Sequence, residues 1–195
     1  INIPIHIHCH NDFGLAVANS VAALISGAQV ADVTINGIGE RSGITSLAEI
    51  SLLLKTQYNI GNKWDLSKIY QLSKKVERMS GIFNSENKPI VGINAFTHKA
   101  GLHSRAVIKD PRTYEAFDPK IIDRSRDISI DKYSGLDALA FRLTSLNVPH
   151  NKDQLSEILK EIKSHPEKRK FNDLELLELA DEILKVDIKT YVPID

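Results

Sequence analysis

Two histidines, His8 and His10, lie two positions apart at the end of an apolar run near the start of the chain. The run over residues 3–10 predicts a β-strand, and the period of two in a strand places His6, His8 and His10 on one face. Two imidazoles on one face are suitable ligands for a single divalent metal ion. The alternative is a buried strand whose histidines only satisfy backbone acceptors.

A polar turn follows each of two predicted strands. Asn11 and Asp12 follow the first strand, and the glycine-rich turn 37–43 follows a second strand predicted over 30–35. Between them, residues 14–26 predict a helix that ends at a glycine. This β-α-β order is typical of parallel α/β folds, whose active sites lie at the carboxyl ends of the strands. The position of the histidine pair therefore favours a metal site.

The rest of the chain is predicted to be mainly helical. Two capping boxes, Ser46 to Glu49 and Asn151 to Gln154, each predict the start of a helix. The prolines at 89, 111 and 119 predict an irregular region between the helices. The predicted helices are 46–58, 65–80, 135–146, 151–164 and 172–185, and the predicted irregular region is 84–134.

Composition excludes several classes of protein. The 195 residues are 42% hydrophobic and 26% charged, with 25 basic and 25 acidic side chains, which is typical of a soluble globular protein. This balance gives no reason to expect nucleic acid or a membrane as partner. One cysteine cannot form an intrachain disulfide. With no apolar run near 18 residues and no signal-peptide pattern, we expect a cytoplasmic protein.

The predicted fold class is α/β. Two parallel strands cannot cover their own edges. We therefore predict that residues 1–58 are the last two β/α units of a (β/α)₈ TIM barrel, that 59–134 form a helix and an irregular linker reaching the active site, and that 135–195 form a helical C-terminal subdomain. The chain begins with isoleucine inside a predicted strand, so we expect it to be the C-terminal part of a longer catalytic region.

Three spaced motifs resemble one enzyme family. The pattern His8-x-His10-Asn-Asp-x-Gly14 resembles the signature of the α-isopropylmalate and homocitrate synthases, which are metal-dependent, Claisen-condensing TIM barrels. The Gly-Ile-Gly-Glu-Arg turn over 37–41 and the Ala-Phe-Thr-His-Lys-Ala-Gly-Leu-His run over 95–103 are also similar to that family. The related hydroxymethylglutaryl-CoA lyases and biotin-dependent carboxyltransferases usually have His-Asp-Thr at the first motif and lack the Gly-Glu-Arg turn. The sequence therefore resembles the synthases more than these relatives.

The resemblance implies an acyltransferase. Such an enzyme deprotonates acetyl-CoA, adds it to the ketone of a 2-oxo acid and hydrolyses the thioester, with a divalent metal ion (Zn²⁺, Mg²⁺ or Mn²⁺) as cofactor. His8 and His10 match the two imidazole ligands of the family, and a carboxylate upstream of Ile1 would be the third. Gly39 and Glu40 match a turn that borders the acetyl-CoA site.

Two further residues match the family's catalytic groups. His103 matches a proposed general base or proton shuttle, and Tyr114 matches a tyrosine that assists it. In the family this region reaches over the active site of the partner subunit, which implies a homodimer. An ordinary loop histidine is the alternative for His103, and His98 is expected to be structural.

Ile44 indicates the branch of the family. Isopropylmalate synthases commonly have a metal-approaching asparagine at this position, whereas the Gly-Ile-Thr sequence here resembles the homocitrate branch of lysine biosynthesis through the aminoadipate pathway. The expected substrates are therefore the small molecules acetyl-CoA and 2-oxoglutarate. The alternatives are an isopropylmalate or citramalate synthase, or a truncated, non-catalytic dimerisation or regulatory module. The chain alone is expected to be inactive.

Overall fold

The computed structural model describes residues 3–99, 101–166 and 170–184, which form two compact units. The first unit contains residues up to 95 together with 119–125, and the second contains 96–118 and the residues from 126 onwards. The predicted subdomains, 1–58, 59–134 and 135–195, stay a prediction. The described part of the chain contains no helix long and apolar enough to cross a membrane.

Seven helices and four short strands are described in these ranges. In the first unit they are β1 (His6–Ile7), α1 (Ala16–Ile25), β2 (Val30–Ala31), α2 (Leu47–Tyr58) and α3 (Ile69–Ser80). In the second unit they are β3 (Thr97–His98), α4 (Gly101–Lys109), β4 (Asp127–Ile128), α5 (Leu136–Ser145), α6 (Lys152–Ser164) and α7 (Asp173–Leu184).

The first unit contains the predicted parallel β-α-β arrangement. β1 pairs with β2 in parallel, with His6 opposite Val30 and Ile7 opposite Ala31. Both strands are shorter than predicted, since only two residues of each form a regular ladder. Beyond them the pairing changes to isolated bridges, His10 with Ile44 and Thr34 with Ser46. Asn36, at φ 63°, then turns the chain out of the strand direction.

The helices α1 and α2 pack against β2. Val21 of α1 contacts Ile50 and Leu54 of α2 in a small buried cluster, which Ala31 and Val33 also contact. The predicted stop of α1 is confirmed, because Gly27 has a φ of +113° that other residues rarely adopt. This packing fixes the two strand ends relative to each other.

The predicted capping box at Ser46 is wrong. Ser46 is the N-cap of α2, but its side chain makes no capping hydrogen bond. The first backbone N–H, of Leu47, donates instead to the carbonyl of Thr34 at 2.9 Å. Glu49 lies 3.1 Å from the ammonium of Lys88, so its carboxylate is used by a neighbouring charge.

A buried carboxylate stabilises the C-terminal half of α3. Glu77 is 4% exposed and accepts hydrogen bonds from Lys74, at 2.9 and 3.1 Å, and from the side chain of Asn84 at 2.7 Å. Burial raises the pKa of Glu77, but the hydrogen bonds from Lys74 and Asn84 outweigh that effect and leave the pKa below its ordinary value. Ser73, one turn earlier, donates to Asn36 at 2.6 Å and so connects α3 to the turn that follows β2.

The region 84–134 is more regular than predicted. It contains α4 and the parallel pair of β3 and β4, in which Thr97 lies opposite Asp127 and His98 opposite Ile128. The prediction of an irregular linker is therefore wrong for these segments. A strand of two residues has no periodicity to detect, and α4 is only nine residues long.

The three C-terminal helices are confirmed and form the core of the second unit. The capping box that precedes α6 is present, since Gln154 N donates to the Asn151 side chain at 3.0 Å and Asn151 N donates to Gln154 at 2.8 Å. The last residue of the predicted helix 172–185 lies outside the described residues. The core consists of apolar side chains from all three helices and β4, among them Ile128, Leu139, Leu143, Ile158, Ile162 and Leu176.

Candidate active site

The two histidines of the first motif lie together at the end of β1. The ring centroids of His8 and His10 are 5.1 Å apart, with an angle of 60° between the ring planes. His10 Nδ1 is buried and has no hydrogen-bond partner among the described residues. A buried imidazole nitrogen without a partner is available to a ligand, so the pair has the donor chemistry of a metal site.

His8 is oriented by a carboxylate that sequence reasoning missed. Its Nδ1 lies 3.2 Å from Asp32 Oδ2, which leaves Nε2 for a metal ion. The strand register explains this contact, because Ile7 lies opposite Ala31 and the next residues on the two strands are His8 and Asp32. The sequence did contain one signal for this contact, since Asp32 is the only charged residue in the apolar segment 30–33.

The described residues contain no group of three or more histidine, cysteine, aspartate or glutamate side chains arranged to hold a metal ion. In a metal site His8 and His10 would supply two donors, so a complete site would need at least one more. His6 is exposed at the other end of the two-residue β1.

The first two motifs meet in the structure. Asn11 N donates to Gly43 O at 2.9 Å, next to the bridge between His10 and Ile44. Arg41 donates from Nε and from a terminal nitrogen to the two carboxylate oxygens of Asp12, at 3.1 and 3.2 Å. The hydrogen bond from Arg41 lowers the pKa of Asp12 and raises the pKa of Arg41. The turn after β2 is thus attached to the residues that follow the histidines.

The glycine-rich turn is tightly folded. At Gly43, φ is +85° and an added Cβ would lie 1.9 Å from Gly37 O, so only glycine fits. At Gly39 an added Cβ would meet atoms of Gly43 and Ile44 at 3.3 Å. The Glu40 side chain is 80% exposed and lies 3.8 Å from Arg41. Gly39 and Glu40 are both exposed, although Gly39 has little room for a side chain.

The second unit brings together the other predicted pair. The rings of His103, on α4, and Tyr114 have centroids 4.4 Å apart and an angle of 36° between their planes. Both residues are exposed. A 3₁₀ turn over Pro111–Thr113 precedes Tyr114, whose backbone N–H donates to Pro111 O at 3.1 Å. The pair is therefore accessible from solvent.

A large apolar cavity lies elsewhere in the first unit. It has a volume of about 730 Å³ and is lined mainly by side chains of β2, α2, α3 and the segment before α3, including Trp64. None of the predicted site residues lines it. We therefore assign this cavity no part in the chemistry of the two motifs, in spite of its size.

Two protein families match successive parts of the chain. Residues 1–76 match the family described as HMGL-like. Residues 90–170 match the family described as Homocitrate synthase post-HMGL domain-like. The chain therefore contains both regions in the order that its motifs indicated.

The chain is also similar to curated proteins that are named homocitrate synthases. The chain is 41% identical to homocitrate synthase AksA of Methanopyrus kandleri, over 95% of the chain and 47% of the relative. It is 44% identical to the homocitrate synthase of Pyrococcus horikoshii, over 85% of the chain and 45% of the relative. It is 44% identical to that of Saccharolobus islandicus, over 93% of the chain and 39% of the relative. The chain thus spans about half the length, or less, of these relatives. This similarity agrees with the family that the three motifs resemble.

Proposed function

We propose that the protein containing this chain is a homocitrate synthase that condenses acetyl-CoA with 2-oxoglutarate and hydrolyses the thioester. The observation that supports this most directly is the pairing of His8 with His10 beside Asp32, in a chain 41% to 44% identical to homocitrate synthases. Ile44, the residue that predicted this branch, lies next to His10 through a backbone bridge. Its aliphatic side chain leaves metal binding to other groups.

In this proposal His8 and His10 hold one divalent metal ion together with a carboxylate. Asp32 keeps His8 in the tautomer with a proton on Nδ1, so that Nε2 is free. The bound ion (Zn²⁺, Mg²⁺ or Mn²⁺) would polarise the ketone of the 2-oxo acid. Arg41 and Asp12 hold the adjacent turn, where Gly39 and Glu40 border bound acetyl-CoA.

Residues 1–58 are proposed to form the last two β/α units of a TIM barrel. The parallel pairing of β1 with β2, with α1 between them and α2 following, supports this assignment. The candidate ligands follow β1, and the glycine-rich turn follows β2. Both therefore lie at carboxyl ends of strands, where barrel enzymes place their catalytic groups.

His103 and Tyr114 are proposed to move protons in this reaction. An imidazole can accept a proton from the methyl group of acetyl-CoA, and a phenol in ring contact with it can orient the imidazole or relay the proton. The exposure of both residues supports a role at a surface that another subunit approaches. We propose a homodimer in which this pair acts on the partner's substrate.

The decisive assay measures CoA release by the natural protein that contains this chain, with 2-oxoglutarate, 2-oxoisovalerate and pyruvate in turn. We expect kcat/KM to favour 2-oxoglutarate by at least ~100-fold, because a site built for a second carboxylate leaves polar groups unpaired without it. A preference for 2-oxoisovalerate would indicate an isopropylmalate synthase, and a preference for pyruvate a citramalate synthase. No CoA release with any of the three would favour a non-catalytic module.

Metal content gives a second measurement that does not need turnover. The double substitution of His8 and His10 by alanine should remove stoichiometric metal, as measured by elemental analysis, while circular dichroism stays native. His6→Ala is the matched control, since His6 is an exposed histidine of the same segment. Equal metal content in all three proteins would contradict the proposed ligands.

A further inference from the structure

A buried carboxylate, that of Glu115, directly follows Tyr114 in the chain. The Glu115 side chain is only 5% exposed. Arg126 donates to both of its oxygens, from Nε to Oε1 at 3.0 Å and from a terminal nitrogen to Oε2 at 2.8 Å. His98 Nε2 lies 3.2 Å from the same Oε1. We call these three residues the Glu115 cluster.

The Glu115 cluster joins three separate segments of the second unit. His98 belongs to β3, and Arg126 immediately precedes β4. Glu115 belongs to the loop that follows α4. A bidentate guanidinium–carboxylate pair with an additional imidazole contact has a narrow range of geometries, so the backbone at Glu115 is fixed relative to the β3–β4 pair.

The same loop is held at a second point upstream of Tyr114. The side chain of Asp110 accepts a hydrogen bond from Arg112 N at 3.1 Å and caps the 3₁₀ turn. Tyr114 therefore lies between a capped turn and the buried Glu115. His103 is the third residue of α4, which contacts β3. Tyr114 directly precedes Glu115, which contacts His98 of β3.

We propose that Glu115 is a positioning residue: its contacts with Arg126 and His98 hold the Tyr114 ring against the ring of His103. His98, which the sequence analysis expected to be structural, belongs to the Glu115 cluster and so contributes to this positioning. The proposal rests on the proposed function only for the claim that the ring pair takes part in catalysis. The geometric claim is independent of any activity.

The full chain, labelled with ¹³C-histidine, allows a direct test. A phenol ring at 4.4 Å shifts the NMR signals of His103 through its ring current. Tyr114→Leu defines the complete loss of this shift. We expect Glu115→Gln, which keeps the shape of the side chain but removes its charge, to move the His103 signals at least half of the way to those of Tyr114→Leu.

Asp118→Asn is the matched control. Asp118 Oδ1 also lies near Arg126, at 3.6 Å, but its side chain is 52% exposed. This substitution removes a carboxylate of the same guanidinium outside the cluster and should leave the His103 signals unchanged. If Glu115→Gln also left them unchanged in a folded protein, the proposal would be wrong. If Glu115→Gln failed to fold, His98→Asn would replace it, with the same two outcomes for the His103 signals.

A double-mutant cycle in the natural enzyme separates positioning from a general structural effect. If Glu115 acts through Tyr114, Glu115→Gln should lower kcat about tenfold with little change in KM, and the double variant with Tyr114→Phe should be no slower than Tyr114→Phe alone. Additive losses together with unchanged His103 signals would overturn the proposal. If Glu115→Gln moved the His103 signals but neither single variant lowered kcat, Glu115 would still position the ring pair, and the catalytic role of that pair would be wrong.

Discussion

Substitution of Gly43 by alanine should be among the most destabilising single changes in the first unit. The added Cβ would lie 1.9 Å from Gly37 O, so the two turn segments must separate by more than about 1 Å. That movement breaks the hydrogen bonds from Ile44 N to Gly37 O, at 3.1 Å, and from Asn11 N to Gly43 O, at 2.9 Å. Two such bonds contribute about 2 kcal/mol, and alanine at positive φ costs about 1 to 2 kcal/mol more. We expect a total loss of about 3 to 4 kcal/mol.

Gly81→Ala is the control that separates two effects in Gly43→Ala, the clash of the added Cβ and the strain of alanine at positive φ. Gly81 also has a positive φ, +71°, but an added Cβ there meets nothing within 4 Å. This variant should lose only about 1 to 2 kcal/mol.

Urea unfolding followed by the fluorescence of Trp64, the one tryptophan of the chain and a member of the first unit, measures both variants. The Gly43→Ala midpoint should be lower by about 1 M or more than the Gly81→Ala midpoint, for an m-value of about 1 to 2 kcal/mol/M. Equal midpoints would show that the turn yields without breaking its hydrogen bonds.

Three other changes test separate parts of the structure. Because the pKa of Glu77 lies below its ordinary value of 4.5, its carboxylate stabilises the fold above that pH, and the stabilisation is lost as the pH falls through the lowered pKa. Glu77→Gln should therefore be less stable than the parent near pH 7, and in urea titrations this difference should shrink as the pH falls well below 4.5. A difference that does not change with pH would contradict this reasoning. Ile158→Ala removes a fully buried side chain of α6 and should lower the free energy of unfolding of the C-terminal helices by about 3 kcal/mol, as measured by circular dichroism. Trp64 fluorescence should not change at the lower urea concentration at which these helices unfold in the variant. Arg41→Ala should raise the pKa of Asp12 toward its ordinary value of 3.8 in a carboxyl NMR titration, and an unchanged pKa would mean that the bidentate contact is absent in solution.

The sequence was most informative where structure depends on nearby residues. The α6 capping box was predicted correctly because Asn151 and Gln154 bond to each other's backbone within one turn. The same pattern at Ser46 and Glu49 failed. There, Thr34 satisfies the helix N-terminus and Lys88 attracts the glutamate, and both lie more than ten positions away in the chain. Identical local signals thus gave different structures because tertiary partners differed.

In the candidate site, too, features set by nearby residues were predicted and features set by distant partners were not. The period of a strand predicted that His8 and His10 lie together, and their rings do, although β1 ends at Ile7 before either histidine. The contact of His8 with Asp32 depends on the register between two strands, which no local pattern specifies. The Glu115 cluster depends on the pairing of β3 with β4, each of two residues. Strands this short leave no detectable period, so neither Arg126 nor Glu115 could be recognised in advance.

The exposed apolar residues that precede β1 have a practical consequence for handling the chain in solution. Ile3 and Ile5 are 70% and 60% exposed, beside a sheet that has two strands in the described part of the chain. An open strand edge with apolar side chains favours edge-to-edge association between molecules. The chain also has a formal net charge of zero at pH 7, where charge repulsion between molecules is weakest. Purification and storage at pH 8.5 or above, at low protein concentration, should therefore keep more of the chain monomeric than neutral buffer does.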